Sequence, residues 1–555
     1  MDAKRRFVGA VRHHDSTWHD GGVAVATPKN EIYALASERV GARLRHDLDP
    51  RPAYEYMRDR INRISGHAPF GTTEDSLREG SIRQESRSQE HHLYHASSVF
   101  WASSFDRAAI LVADGQGPHD GCVVATTTWR GMKEGIALIE VPYRAHGSFI
   151  PQSLGHFYTA IGALAGMTNL HEEGKTMGLA AYGRPSRFLE YLRTYIRSKQ
   201  DGSFFLDPAF IYAVFGNTFG PQYYGWGPQP IEIQRIWNDI LGMRTTPMRV
   251  GTMPVSQDDM DIAYAGQILL EEAVLGLARR LKEQTGEHNL CLAGGVALNC
   301  SVNSRMLASG LFDDVYVVPA ADDSGQALGK LFLDLHRSGF STDTTIGSAY
   351  LGPLYSAEEI RSAISSEATV YAAHHGFSKV VRAAARRIAE GQVIGWFQGR
   401  SEMGPRALGN RSILADPRDS RMRDHINQNV KHREWYRPVA PAVLEEDAPA
   451  YFHIDRPLPF MLFAVQAREE MIGRIPSAVH VDGSARVQTV RKSQNPRFYK
   501  LISEFKLRTN VPMVINTSFN GRGEPIVESP VDAISAFRRM NLDALVIGDY
   551  LVLKK

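Results

Sequence analysis

The sequence predicts an α/β fold, and two observations predict it. A strand-rich unit occurs twice in the N-terminal part, and the segments after it alternate strands with helices. The first copy begins with the apolar FVGAV at 7–11. It continues through RHHDSTWHDGG to the strand-like GVAVAT, a turn at PKNE, and IYALAS. The second copy begins with AAILVA at 108–113. DGQGPHDG, CVVATTTW, a turn at RGMKEG and IALIEV follow in the same order. A unit repeated in this way implies two similar halves facing each other across a cleft. Next, residues 258–282 show helical apolar spacing, NLCLAGG is a strand running into a glycine turn, and VYVVPA is another strand. Gln326–Arg337 reads as a helix. The polar GFSTDTTIGSAYLGP, between Gly339 and Pro353, reads as a connection, so the chain is expected to divide into domains at 1–345 and 356–555.

Composition limits the function. The 555 residues are enough for two or more domains. Lys+Arg total 63 and Asp+Glu total 61, a net charge of +2, which argues against a nucleic-acid partner. Cys122, Cys291 and Cys300 include no CxxC pair, so a disulfide framework and a cysteine zinc site are both disfavoured. The first residues, MDAKRRFVGAVRHHD, lack a signal-peptide apolar stretch, and no run is long enough to span a membrane. A cytoplasmic location is the expectation.

Four motifs carry chemistry. Between Gly399 and Pro441 the chain packs Arg400, Arg406, Arg411, Arg418, Arg421, Arg423, Lys431, Arg433 and Arg437 among glycines and prolines. Guanidinium forks on a turn-rich scaffold suit a multiply charged anion, and the near-neutral chain favours a phosphorylated small molecule. In HHLYHA, His91 and His95 share a helical face at i and i+4, a spacing that suits one metal ion, whereas His92 points elsewhere. A His-x3-His pair alone is equally compatible with packed histidines. Asp114 in ADGQG and Asp323 in PAADDSGQALG, each just after a strand, add carboxylates that would complete a mixed set for iron(II), manganese or zinc. LAGGVALNCSVN turns from strand to helix, so the N–H groups of Gly294 and Gly295 can face a phosphate or ribose, with Asn299 beyond. EEGKTMGLAAYG offers Glu173 and Lys175 as further nucleotide contacts.

Taken together, HHDS, HHLYHA, ADGQG, EEGKTMGLAAYG, LAGGVALNCSVN and DDSGQALG resemble the N-terminal domain of the O-carbamoyltransferases that modify antibiotics and nodulation factors. GRSEMGPRALGNRSILADPR, INQNVKHREWYRPVAP, HVDGSARVQTV and NTSFNGRGEPIVESP resemble their C-terminal domain. The resemblance implies an actin-like N-terminal domain (duplicated, RNase H-like, of the ASKHA type) fused to a YrdC-like domain that forms an adenylate. The C-terminal domain would join carbamoyl phosphate to ATP, with Mg, giving carbamoyl-adenylate, phosphate and pyrophosphate. The N-terminal domain would pass the carbamoyl group to a hydroxyl of a small-molecule acceptor beside a metal, usually iron(II), and release AMP. The resemblance makes His14 the general base, with His13 next to it. His91, His95, Asp114 and Asp323 become metal ligands, and Asp114, Gly295 and Asn299 lie at the nucleotide. It places Arg406, Arg411 and Ser518 at ATP, and Lys431, Arg437 and Arg486 at carbamoyl phosphate, Lys431 and Arg486 being catalytic. Asn516, Thr517 and Asn520 flank Ser518 and support it.

The sequence departs from the family at two points: Arg45 stands where a lysine is common before His46, and Pro118 replaces an acidic residue in ADGQGP. A hydrogenase-maturation carbamoyltransferase would also carry an acylphosphatase-like region and cysteine zinc fingers, which three scattered cysteines do not supply. A threonylcarbamoyl-type tRNA-modifying enzyme is the alternative from another substrate class. A non-enzymatic nucleotide-dependent scaffold would be expected to lack His14 and the metal ligands. The acceptor and the oligomeric state are not legible. The aromatic stretch FFLDPAFIYAVFGNTFGPQYYGWGP, within 184–253, is either an insertion packed by its own core or a wall for the acceptor, and 45–87 could face it.

Overall fold

The structure is a computed structural model, and it describes residues 7–11, 22–26, 32–40, 53, 56–57, 90–147, 149–220, 230–249, 253–339, 348–374 and 376–555. Two compact units are present: residues 88–317, and residues 1–87 together with 318–555.

In the unit of residues 88–317, the sheet contains β4 (Arg107–His119), β5 (Cys122–Met132), β6 (Gly135–Glu140), β9 (Asn289–Ala293) and β10 (Asp314–Val317). Their order is β10-β9-β4-β5-β6, with β10, β9 and β4 parallel and the rest antiparallel. A short ribbon, β7 (Ile196–Ser198) and β8 (Phe204–Leu206), pairs separately. β4 carries a continuous apolar run because helices cover it: α1 (His91–Ala102), α2 (Leu154–Leu164) and the long α4 (Gln257–Thr285). Between α2 and α4 lies α3 (Glu173–Ala180). α4 starts in a capping box between Ser256 and Asp259 and stops at Gly286, whose φ of 67° is left-handed. α5 (Cys300–Ala308) follows β9.

The other unit opens with an antiparallel meander of β1 (Phe7–Val11), β2 (Gly22–Ala26) and β3 (Ile32–Ala36), against which α6 (Gln326–Arg337) packs. Its main sheet has eight strands: β11 (Val370–His374), β12 (Ile394–Phe397), β13 (Arg411–Ala415), β14 (Ala440–Leu444), β17 (Gln488–Val490), β18 (Met513–Ser518), β19 (Ala544–Ile547) and β20 (Tyr550–Lys554). They run in the order β11-β20-β19-β12-β13-β18-β14-β17. A two-residue pair, β15 (Val465–Gln466) and β16 (Ser484–Ala485), sits beside it. Strand alternation sends Trp396 to one face, with α7 (Phe377–Ala389) and α8 (Pro496–Thr509), and Phe397 to the other, with Phe519 and Phe537.

The α/β class is borne out, and the duplicated unit is visible: β1-β2-β3 and β4-β5-β6 are both antiparallel meanders in the expected order. The compact units are cut differently from 1–345 and 356–555. The first meander is stitched to the segment after the connection: Ala34 N–H donates to Leu351 O at 2.8 Å, and Arg400 Nη2 donates to Ile32 O at 2.6 Å. Most of the connection, 340–347, lies outside the described residues. Among the described residues no helix is long and apolar enough to cross a membrane.

Candidate functional site

Each unit brings one group of the expected residues together. In the unit of residues 88–317, α1 presents two imidazoles on one face, as the i, i+4 spacing requires. His91 Nε2 lies 3.2 Å and His95 Nε2 3.5 Å from the same oxygen, Asp114 Oδ2. All three are buried, at 1%, 0% and 6% exposure, and their ligand atoms lie within 4.8 Å of one another. Asp114 reaches this point because the β4–β5 register breaks between Ala113 and Gly117, pushing residues 114–116 out of the ladder. Its other oxygen accepts the Gly295 N–H at 2.8 Å, which orients the carboxylate. Two nitrogens and a carboxylate oxygen, all buried and converging, fit a borderline divalent metal such as iron(II), manganese or zinc. His92 turns away as expected: Nδ1 lies 3.0 Å from Thr127 Oγ1 and Nε2 3.3 Å from Val124 O. Burial, then the neighbouring His91 and His95, hold its pKa well below the ordinary histidine value. Asp323, in the other unit, opens the turn Asp323–Gly325 six residues after β10 ends; it is buried and accepts from Gln326 Nε2 at 2.7 Å.

Two glycines hold this geometry. A Cβ on Gly294, whose φ is 86°, would lie 2.2 Å from Ala113 O, so only glycine lets the β9 turn reach Asp114. A Cβ on Gly117 would stand 2.2 Å from His91 Cδ2. Gly117→Ala is therefore expected to push His91 off Asp114 and to weaken any metal binding by the cluster. Its melting temperature should fall by several degrees, a cost of about 1–3 kcal/mol. Full metal content in folded Gly117→Ala would show that His91 is not a ligand.

The expected nucleotide residues near this site have local partners. Asn299 Oδ1 caps α5, accepting from Ser301 N–H at 3.2 Å and Val302 N–H at 3.1 Å, and its amide donates to Gln267 at 2.9 Å. Glu173 accepts from Thr159 Oγ1 at 2.5 Å, and Lys175 pairs with Glu172. Of the aromatic stretch, Phe204, Phe210 and Phe215 are fully buried; Phe210 packs on Phe157, and Phe215 on Phe149 and His156. His13, His14, Arg45 and His46, and residues 221–229, lie outside the described residues.

In the second unit, the cations of the 399–441 segment separate into three kinds. Arg418 and Arg421 pair with Asp416 and Asp419, two residues earlier, and Arg423 pairs with Asp424. Arg400 and Arg411 serve the fold. Arg411 is 0% exposed, stacks on Phe397 at 3.7 Å and donates to Gln398 O at 2.8 Å and Asn410 O at 3.0 Å. It is not brought to an open site. Arg406 is half-buried in the same loop.

The third kind, from Lys431 onward, is tied to the β18 end and to its own loop. A π-helical turn, Ile426–Val430, delivers Lys431. Lys431 is 5% exposed and Nζ donates to Ser518 O at 2.8 Å and Asn520 O at 2.7 Å, and to Asn520 Oδ1. These oxygens are neutral. Ser518 ends β18, between β13 and β14, and its Oγ donates to Asn520 Oδ1 at 2.7 Å. Asn516, deeper on β18, spends its amide on Ala407 O at 3.1 Å and Gln488 Oε1 at 2.9 Å. Arg433, clamped by Asn427 Oδ1 at 2.8 Å, has its pKa pushed down to about 9 by burial and by the positive Arg437 and Arg486. Arg437 faces one carboxylate, Glu434, at 3.6 Å. Arg433 thus sits in the positive field of two further guanidiniums, a field that a phosphate would relieve. Arg433 had no role assigned from the sequence; its spacing two residues after Lys431, on the same loop, was the available signal.

Two family models match the chain. The model "Carbamoyltransferase N-terminus" matches residues 75–331 and "Carbamoyltransferase C-terminus" matches 385–554. The nodulation protein NolO of Bradyrhizobium diazoefficiens is 38% identical over 84% of this chain and 79% of its own. A 3'-hydroxymethylcephem-O-carbamoyltransferase of Streptomyces clavuligerus is 29% identical over 96% of each chain. Among solved structures, full-length HypF in its phosphate- and nucleotide-bound form is 16% identical with a TM-score of 0.32, covering 61% of this chain and 57% of its own. Two domain models in their proper order, and relatives matched over most of both lengths, place this chain in the carbamoyltransferase family.

Proposed function

We propose that this chain is an ATP-dependent O-carbamoyltransferase that works in two steps on a hydroxylated small molecule. The first step consumes ATP, carbamoyl phosphate and water: water cleaves carbamoyl phosphate to carbamate and phosphate, and the carbamate displaces pyrophosphate from ATP, giving carbamoyl-adenylate. The second passes the carbamoyl group to the acceptor hydroxyl and releases AMP. The observation that carries this reading is the set of cations from Lys431 onward: a buried ammonium held by the oxygens of Ser518 and Asn520, and Arg433, whose guanidinium feels the positive Arg437 and Arg486. Such a group is stable when an anion completes it. Lys431, Arg437 and Arg486 would bind the phosphate of carbamoyl phosphate and stabilise charge as the carbamoyl group moves to the adenylate. Arg406 and Ser518 would contact ATP, which brings Mg.

For the second step we assign the metal to His91, His95 and Asp114, with Asp323 as a fourth ligand. An iron(II) ion there would act as a Lewis acid toward the carbamoyl oxygen. His14 would accept the acceptor's hydroxyl proton, and the Gly294–Gly295 turn and Asn299 would face the adenylate. Both substrates are cytoplasmic metabolites, which supports a cytoplasmic location. No observation favours the tRNA-modifying alternative.

The test is a two-stage assay. Pyrophosphate should appear only when ATP and carbamoyl phosphate are both present, and AMP should appear in step with a carbamoylated product once an acceptor is added. Pyrophosphate release that needs threonine and ignores carbamoyl phosphate would replace this reading with the tRNA-type one.

A further inference from the structure

We propose that Arg39, from the first repeated unit, is a positioning residue for the loop 399–411, so that adenylate formation depends on a residue far earlier in the chain that packs into the same compact unit. The proposal rests on the two-step reading above.

The loop carries Arg406 and is fastened at both ends. At its start Arg400 donates to Gly352 O at 2.8 Å and to Ile32 O at 2.6 Å, with its guanidinium 4.0 Å over the Tyr33 ring. At its end Glu402 Oε1 accepts the N–H groups of Leu408, Asn410 and Arg411, at 2.7, 2.7 and 3.1 Å. The middle of the loop is held by Arg39. This residue ends the 3-10 turn Ser37–Arg39 after β3 and is 2% exposed. Its Nη2 donates to Gly404 O at 2.8 Å, and its Nη1 lies 3.8 Å from Glu528 Oε2.

Glu528 is 0% exposed and connects the two sides. Its other oxygen accepts from Tyr355 OH at 3.2 Å and lies 3.7 Å from Arg411 Nη2, where the loop enters β13. The Tyr355 hydroxyl is paired in turn with that of Tyr56, also from the first part of the chain. One buried carboxylate therefore sits between two guanidiniums, one inside the sheet and one reaching in from residue 39. Gly404 fixes where Arg39 must aim. Its φ is 90°, and a Cβ there would lie 2.3 Å from Pro319 O, so its carbonyl has one direction available.

Arginine suits the task because its planar fork meets the Gly404 carbonyl and the Glu528 carboxylate at once. A lysine would keep the charge near Glu528 but present a single point to both acceptors. Removing the charge leaves Glu528 buried with one partner fewer. Gly404 would then lose its donor, two residues before Arg406. A residue just after the first meander would thereby tune nucleotide binding at the loop.

The test uses full-length Arg39→Ala and Arg39→Lys. Hydrogen–deuterium exchange of peptides covering 399–411 should be faster in Arg39→Ala than in wild type, at the amides of Leu408, Asn410 and Arg411. The KM for ATP in pyrophosphate release should rise about tenfold, the worth of one hydrogen bond from a charged donor, with kcat less affected. Arg39→Lys should recover part of the KM. Should Arg39→Ala not fold, Arg39→Lys, which keeps the charge beside Glu528, carries both measurements against wild type. Unchanged exchange in the loop together with an unchanged KM would overturn the proposal. So would a defect confined to product formation with normal pyrophosphate release. If wild type itself releases no pyrophosphate, the two-step reading fails, and the exchange measurement alone still decides whether Arg39 holds the loop.

Discussion

Lys431→Ala should lower pyrophosphate release from ATP and carbamoyl phosphate by about 10²–10³-fold, the usual cost of removing one preorganised donor from developing negative charge. The Lys431 ammonium stands on Ser518 O, Asn520 O and Asn520 Oδ1, so those oxygens aim it rather than neutralise it. In the proposed first step that charge would serve phosphate oxygens as they gain charge. Lys431→Arg should not rescue the rate, because a planar fork cannot reproduce a point charge held on three converging oxygens. The same variant should still carbamoylate the acceptor when supplied with preformed carbamoyl-adenylate. Melting temperature separates the two causes of loss, since alanine also deletes buried hydrogen bonds at Ser518 and Asn520. Wild-type pyrophosphate release by a folded Lys431→Ala would move the first reaction away from this group.

How far the sequence shows the site depends on what each residue type needs in order to act. The cluster of His91, His95 and Asp114 was legible because its signal is local. His91 and His95 are fixed by helical periodicity, and Asp114 is marked by the glycine-rich ADGQG, which forms a bulge within β4 and not the loop after a strand that was expected. The separate fate of His92 followed from the same periodicity, and Thr127 and Val124 supply the partners it needed. The arginine-rich segment was legible only in part. Arg418 and Arg421 follow Asp416 and Asp419 by two residues, so their pairing could be read from ADPRDSR. The burial of Arg411 could not. It depends on Phe397 from β12 and on Glu528, 117 residues further on, and on strand order that no local pattern encodes. For the same reason the attachment of β3 to Leu351 and Arg400 was hidden, and with it the grouping of residues 1–87 with the C-terminal sheet. The duplicated meanders were visible because alternation and turns are short-range signals, whereas the partner of each meander is a long-range fact.

Asp114→Ala is expected to have the largest effect in the other half: loss of bound metal and of carbamate formation, with pyrophosphate release at the wild-type rate. Both imidazoles converge on Asp114 Oδ2, at 3.2 and 3.5 Å, and its Oδ1 fixes the Gly295 turn, so one truncation removes a ligand and loosens the loop expected to face the adenylate. Asp114→Asn separates the two roles. An amide oxygen can still accept the Gly295 N–H, but the charge that draws a cation is gone, so the loop should stay while the metal is lost. His91→Ala should follow Asp114→Ala, and chelator-treated wild type should follow both, with recovery on adding iron(II). His14→Ala should differ from all of these by keeping its metal. An alcohol is a poor nucleophile until a base accepts its proton, and a positioned base contributes about 10²–10⁴-fold, so product formation should fall by that amount at full metal content. Metal analysis, pyrophosphate release and product formation measured on each variant form one discriminating set. Product made at the wild-type rate by His14→Ala would pass the role of base to His13. Pyrophosphate release lost together with the metal would mean that the metal group serves the first reaction as well, and that the two units do not act as separable stations.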